Sequence, residues 1–339
     1  MLATVGGGHG FPFTDGRQGF VQAARLGTGQ VADSRRGISL RLFTSFWKGL
    51  RVADKLVLGF LAYVLIGSAI FPLAFRQRIV LASLNLVVLV AILLLSALAG
   101  SRRWLATLRD WFPAVLILVA YRESGLFFAP DPTHRWDKLF AAWDALLLGS
   151  PWLTGLLAAA SPWLPRYLEL SYLFCYPLVP LGFGALMLGS RAGKAQPVTR
   201  AAPAVTLRTG AVDFFWTAVL LATLTCYVIY PFIPLTPPRA LWHDFPGPAI
   251  EPLLRKTNLW ILDRYSVQAC IFPSGHVAAV TAVALAVRAY RPRLGALFLI
   301  AAASVAVATV YGRYHYAADA VAGALVGVLA FLISQRMHR

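Results

Sequence analysis

Acidic residues are scarce in this chain of 339 residues, with 14 Asp and Glu against 31 Lys and Arg and a formal net charge of +17. Charge of either sign is thin, at 13% of residues, while 58% are hydrophobic. Soluble domains are roughly 45–50% apolar, so a soluble core of this length does not call for such an excess. Apolar stretches repeated at about 20 residues each are what a bilayer requires. Cysteine is nearly missing. Cys175, Cys226 and Cys270 form no Cys-x-x-Cys pair and no Cys/His spacing that suits zinc. Cys175 and Cys226 lie within apolar stretches, where a thiol packs as a small hydrophobe. Residues 1–16 lack the basic start and apolar core of a signal peptide. No nucleic-acid recognition motif accompanies the positive charge, which excludes that class. The basic residues fit better as anchors of cytoplasmic loops attracted to anionic lipid.

What remains predicts an all-α, polytopic membrane helix bundle of about eight transmembrane helices. Residues 1–52 are Gly-rich and basic and read as a disordered cytoplasmic arm. Two N-terminal spans follow in 53–110, and a larger membrane domain occupies 111–335. The individual spans fall near 53–75, 79–99, 111–129, 167–189, 211–234, 274–290, 294–313 and 317–335. Segment 130–166 is interrupted by Pro, Trp and charge, and reads as interfacial or re-entrant helices. Its Trp136, Trp143, Trp152 and Trp163 suit an interfacial aromatic belt. With the N-terminus inside, the inner segments collect 19 Lys and Arg and the outer segments 11. That bias places both termini in the cytoplasm.

Three segments carry chemistry, and all three fall on the outer face of this topology. In Cys270-Ile-Phe-Pro-Ser-Gly-His-Val277, Ser274 is a good N-cap and Gly275 removes a side chain where backbone approaches a ligand. The free amides of a helix start bind anions, and His276 projects beside them, able to exchange a proton near neutral pH. In Tyr311-Gly-Arg-Tyr-His-Tyr-Ala-Ala-Asp319, His315 and Asp319 share one helix face. The carboxylate fixes one imidazole nitrogen and leaves the other free to attack. In Tyr230-Pro-Phe-Ile-Pro-Leu-Thr-Pro-Pro-Arg239, the prolines fix an extended chain that presents Arg239, whose guanidinium matches a phosphate. Taken singly, each has a plainer reading: a capped helix start, a local ion pair of His315 or Asp319 with Arg313, a snorkelling arginine. Together they suit metal-independent phosphoryl transfer through a phosphohistidine. Arg239, His276 and His315 are separated by 37 and then 39 residues, enough for helices that leave and return to the same side.

These motifs resemble those of the type 2 phosphatidic acid phosphatase superfamily, whose pattern is Lys-x6-Arg-Pro, Pro-Ser-Gly-His and Ser-Arg-x5-His-x3-Asp. Pro273-Ser274-Gly275-His276 matches fully and His315-x3-Asp319 matches. The family lysine would fall at Phe232, no proline follows Arg239, and the family Ser-Arg would fall at Ala308-Thr309. The variant is similar to the branch of inositol phosphorylceramide synthases, whose Asp-x-x-Leu-x-Gly element resembles Asp144-Ala-Leu-Leu-Leu-Gly149. The resemblance covers residues 110–335 and implies a six-helix phosphatase-like core behind the two N-terminal spans. It implies His315 as nucleophile, Asp319 as its orienter and His276 as general acid. Arg239, Ser274, Gly275 and Arg313 would bind the phosphate, with Arg255 and Lys256 as further sources of charge. No metal or other cofactor is implied. The expected substrate is a lipid phosphate ester in the membrane, with water as acceptor in a phosphatase or a small alcohol such as inositol in a phosphotransferase. The alternatives are a transporter or channel, and a catalytically inactive lipid-binding relative.

Overall fold

The computed structural model describes residues 47, 49–127, 133–149, 163–191, 204–241, 252–267 and 271–339. The N-terminal arm up to residue 46, Trp152 and Cys270 lie outside the described residues. The chain divides into two units, 1–50 and 51–339, and the second carries everything discussed below. Its helices are α1 (Val52–Ile70), α2 (Phe75–Leu98), α3 (Arg103–Gly125), α4 (Arg135–Leu148), α5 (Trp163–Leu173), α6 (Cys175–Arg191), α7 (Ala204–Ile229), α8 (Pro238–Leu241), α9 (Pro252–Tyr265), α10 (Gly275–Tyr290), α11 (Pro292–Tyr311) and α12 (Ala317–Met337). No strand occurs among the described residues.

Six helices are long and apolar enough to cross a bilayer: α1, α2, α3, α7 over Thr209–Ile229, α11 and α12. The expected span at 167–189 is instead two helices, α5 and α6, bent by 61°. Pro177 accounts for the break. It has no N–H to give the Leu173 carbonyl, and its ring crowds the preceding turn. Counted as one span, the pair brings the total to seven. The expected count of eight is reached only if α10, apolar but 16 residues long, is added.

The length of α10 follows from its surroundings. It packs on α6, α7, α11 and α12, and its Val277–Val280, Ala282–Ala284, Ala286 and Val287 are buried. Wrapped by protein, it needs no full lipid-facing length. Its alternating Ala and Val side chains are small, which lets neighbouring backbones come close. On α12, Gly323 and Gly327 stand one turn apart against Ser274, Ala278 and Thr281 of the α10 start. A Cβ at either glycine would collide with a backbone carbonyl there.

Contacts at the helix ends order the bundle vertically. At one end Arg51 pairs with Asp110 at 2.6 Å and Arg109 with Asp54 at 2.9 Å. There Asp213 also accepts the Val52 and Ala53 amides, each at 3.0 Å. At the other end Phe71 meets Phe127 and Phe232, with ring centroids 5.4 and 6.0 Å apart. The starts of α10 and α12 belong to this second end.

α4 lies across that second end. Beyond Arg135 and Lys138 its outward face is apolar, with Leu146 and Leu147 82% and 60% exposed. Its inward face carries Asp137, Phe140 and Asp144, spaced to share one side of a helix. This reversal of the usual soluble pattern suits a helix lying at a membrane surface and holding polar chain beneath it.

Candidate active site

The three chemical segments meet under α4. Phe140 forms a buried cluster with Leu235, Ile271 and Tyr316, one residue from each segment. Its ring lies 5.0 Å from Phe272 and 5.8 Å from Tyr316. The two carboxylates bond to backbone on either side. Asp137 accepts the Thr236 amide at 2.8 Å, three residues before Arg239. Asp144 accepts the Ala317 amide at 2.8 Å, at the first turn of α12. An acceptor at that position satisfies one of the orphan donors of a helix start. Burial raises Asp144 to about 6, against the lowering effect of the Ala317 hydrogen bond and with a further push from Asp319. Asp137 and Phe140 went unrecognised in the sequence. The signal was their spacing with Asp144, opposite an apolar outer face.

His315 sits in the short connection between α11 and α12. Its Nδ1 is 2.6 Å from Oδ2 of Asp319, both side chains being buried. With Nδ1 committed, Nε2 is the nitrogen left for chemistry. Burial, and then the charge of Arg239, push the His315 pKa down to about 3, opposed by the Ile271 backbone. The ring is thus neutral at ordinary pH. The His276 ring centroid lies 5.9 Å from that of His315, at 64° between planes. Tyr176 meets His276 edge-on at 5.5 Å.

The start of α10 is shaped by its neighbours. Ser274 caps it, accepting the Val277 amide at 3.4 Å. The Ser274 amide donates to the Asp319 carbonyl at 3.2 Å, which ties the two motifs by backbone. That amide is therefore committed within the protein. The amides of Gly275 and His276, in the first turn, have no intrahelical acceptor. The room that Gly275 leaves is taken by Tyr230, because a Cβ there would stand 2.8 Å from the tyrosine hydroxyl. Tyr230 opens the segment that ends at Arg239, and its position against the helix start was not apparent from the sequence.

Arg239 lies close enough for its charge to act on both His315 and His276. Its guanidinium lies 5.7 Å from the Tyr314 ring centroid, and its amide donates to the Arg313 carbonyl at 3.0 Å. Arg313 adopts φ 57°, left-handed for a residue with a side chain, so its backbone turns the chain between Gly312 and Tyr314. Arg255 is bound to the Gly312 carbonyl and Glu169. Lys256 is exposed. Phe232, at the position of the family lysine, is 60% exposed with its ring against Phe71. Among the described residues, no group of three or more His, Cys, Asp or Glu is placed to hold a metal ion.

Residues 214–339 match the family model of the PAP2 superfamily. The match begins within α7 and takes in every residue of the three segments. Its members are phosphoesterases, so it supports a phosphatase or phosphotransferase of lipid phosphates. Neither a curated protein nor a solved structure matches the chain significantly.

Proposed function

We propose that the protein transfers a phosphoryl group from a lipid phosphate ester through a phosphohistidine on His315. The observation that carries the reading is the buried His315–Asp319 pair at 2.6 Å with the His276 ring facing it. Nε2 of His315 attacks phosphorus, and the bond from phosphorus to the lipid oxygen breaks. Beside the bound anionic phosphate, which favours a charged imidazole, His276 takes up a proton and gives it to that oxygen. Water or an alcohol then attacks phosphorus, gives its proton to His276 and releases His315. Asp319 fixes the His315 tautomer and stabilises the ring while it is charged. Arg239 and the Gly275 and His276 amides hold the equatorial oxygens. The variant motif at Arg239 and the Asp144 element favour the inositol phosphorylceramide synthase-like branch, and with it an alcohol in place of water as acceptor. The basic-residue bias favours an active site on the non-cytoplasmic side, with both termini in the cytoplasm.

The test is release of phosphate from lipid phosphates by the purified protein, run with and without alcohol acceptors. A new phosphodiester or phosphomonoester of the alcohol marks a transferase, and free phosphate alone marks a phosphatase. His315→Ala should lower turnover by a factor on the order of 10⁴ or more. A fully active His315→Ala protein would sink the mechanism. Flux of a solute across reconstituted vesicles without turnover would mark a transporter. Binding of lipid phosphate with no turnover would mark an inactive relative.

A further inference from the structure

Glu169 lies near the end of α5, just before the break, and is 1% exposed. A carboxylate buried this completely within a membrane bundle is costly unless it is partnered. Glu169 has partners from two other parts of the chain. The Tyr314 hydroxyl donates to its Oε2 at 2.6 Å. Asn258 Nδ2 donates to Oε2 at 2.7 Å and to the Glu169 carbonyl at 2.9 Å. Arg255 Nη1 approaches Oε1 at 3.4 Å and donates to the Gly312 carbonyl at 2.5 Å.

Tyr172 and Arg255 enclose the Tyr314 ring. Tyr172 stacks on it at 3.7 Å and 9°. That closeness fills one face, so the Arg255 guanidinium, 4.5 Å from the centroid, covers the other. Gly312, Arg313 and Tyr314 are the three residues before His315. The first is held by its carbonyl and the third by ring and hydroxyl. Between them Arg313 keeps φ 57°, a conformation that costs roughly 1–2 kcal/mol for a residue with a Cβ and persists only where the surroundings impose it. Gly312 has its own constraint, since a Cβ there would collide with the Tyr314 ring.

We infer that Glu169 and Arg255, joined through Asn258 and Tyr314, are positioning residues that set the orientation of the His315 ring. The inference rests on His315 being the nucleophile. Asp319 fixes the ring from α12, the C-terminal side. The Glu169 assembly fixes the chain that leads into it, from α5 and α9. Two independent tethers hold a nucleophile more closely than one, and a misplacement of about 1 Å at a reacting group can cost on the order of 100-fold in rate. Arg255 is thereby assigned to the support of the loop, in place of the phosphate contact expected from its charge.

The experiment measures kcat and KM of the full-length protein on a lipid phosphate for Tyr314→Phe, Glu169→Gln and their double variant, with His315→Ala alongside. Tyr314→Phe keeps the ring stack and removes only the hydroxyl, so it tests the tether without emptying the core. Each single change should lower kcat about tenfold or more and leave KM within about twofold, because substrate contacts remain while the attack geometry loosens. Both changes act on one hydrogen-bonded assembly, so their losses should not multiply in the double variant. Arg255→Lys, which keeps the charge beside Glu169, should recover part of the kcat lost in Arg255→Met. With His315→Ala inactive, kcat within about twofold of wild type in both single variants overturns the inference, as do losses that multiply in the double. An active His315→Ala protein removes the mechanistic reading beneath it and the inference with it.

Discussion

A Cβ on Gly275 would stand 2.8 Å from the hydroxyl of Tyr230 and 3.9 Å from the ring carbon that bears it. The first distance is a clash and the second an ordinary contact. Gly275→Ala must therefore displace Tyr230 or the start of α10, where His276 projects. Turnover should fall about tenfold or more, with a loss of roughly 1–3 kcal/mol in stability from overpacking. Adding Tyr230→Phe removes the clashing oxygen and should restore most of both. Kinetics and thermal unfolding of the single and double variants check this, with Tyr230→Phe alone reporting what the hydroxyl itself contributes. A double variant as impaired as Gly275→Ala would mean that the glycine serves something other than Tyr230.

Asp144 gives a pH-dependent prediction. Its folded pKa is raised to about 6, by burial above all, while an unfolded Asp titrates near 3.9. The folded state thus binds the proton more tightly. The stability this contributes is fully present below the unfolded value and is lost as pH rises through about 6. Asp144→Asn keeps an oxygen for the Ala317 amide and removes the titration. Thermal unfolding in detergent should show the wild type losing stability relative to Asp144→Asn between pH 4 and pH 7. Parallel profiles across that range would show that Asp144 does not carry the raised pKa.

Parts of the fold and of the site were legible because they leave local marks. Pro273-Ser274-Gly275-His276 announces a capped helix start through residue types alone, and His315 and Asp319 announce a shared face through a spacing of four. The apolar helices were visible for the same reason. The break after Leu173 was harder to see, because the apolar run continues across it and only Pro177 marks it. The Glu169 assembly was illegible. Its members Glu169, Arg255, Asn258 and Tyr314 come from three distant segments, and no local period links them. α4 lay between these cases. Asp144 stood out by resemblance, but the role of Asp137 and Phe140 depends on which side of α4 faces the protein.

Asp137 separates a buried tether from an exposed neighbour. It is 1% exposed and accepts both the Thr236 amide at 2.8 Å and the His134 ring at 2.9 Å. Asp137→Ala leaves a backbone donor without its acceptor, which costs about 1–3 kcal/mol. It also frees the segment that carries Arg239. KM for a lipid phosphate should therefore rise together with a fall in thermal stability. The His134 side chain is 46% exposed, and His134→Ala should stay within about 0.5 kcal/mol of wild type. Equal effects from the two variants would mean that the Asp137–His134 pair, and not the Thr236 amide, is the bond that matters.

The sidedness of the site can be read by chemical labelling. Cys175 and Cys226 are buried, so a Cys270→Ser background leaves little reactive thiol. Lys256→Cys places a new thiol at an exposed position of α9, at the end that carries His276 and His315. Ser101→Cys places one on the exposed turn between α2 and α3, at the opposite end. The inner segments hold 19 of the Lys and Arg residues, against 11 in the outer, and basic residues stay in the cytoplasm. A membrane-impermeant maleimide added to intact cells should therefore modify Lys256→Cys and spare Ser101→Cys until the membrane is opened. The reverse pattern would put the histidines on the cytoplasmic face. The lipid phosphate would then have to be presented by the inner leaflet, and the positive charge at the opposite end would need another cause than retention in the cytoplasm.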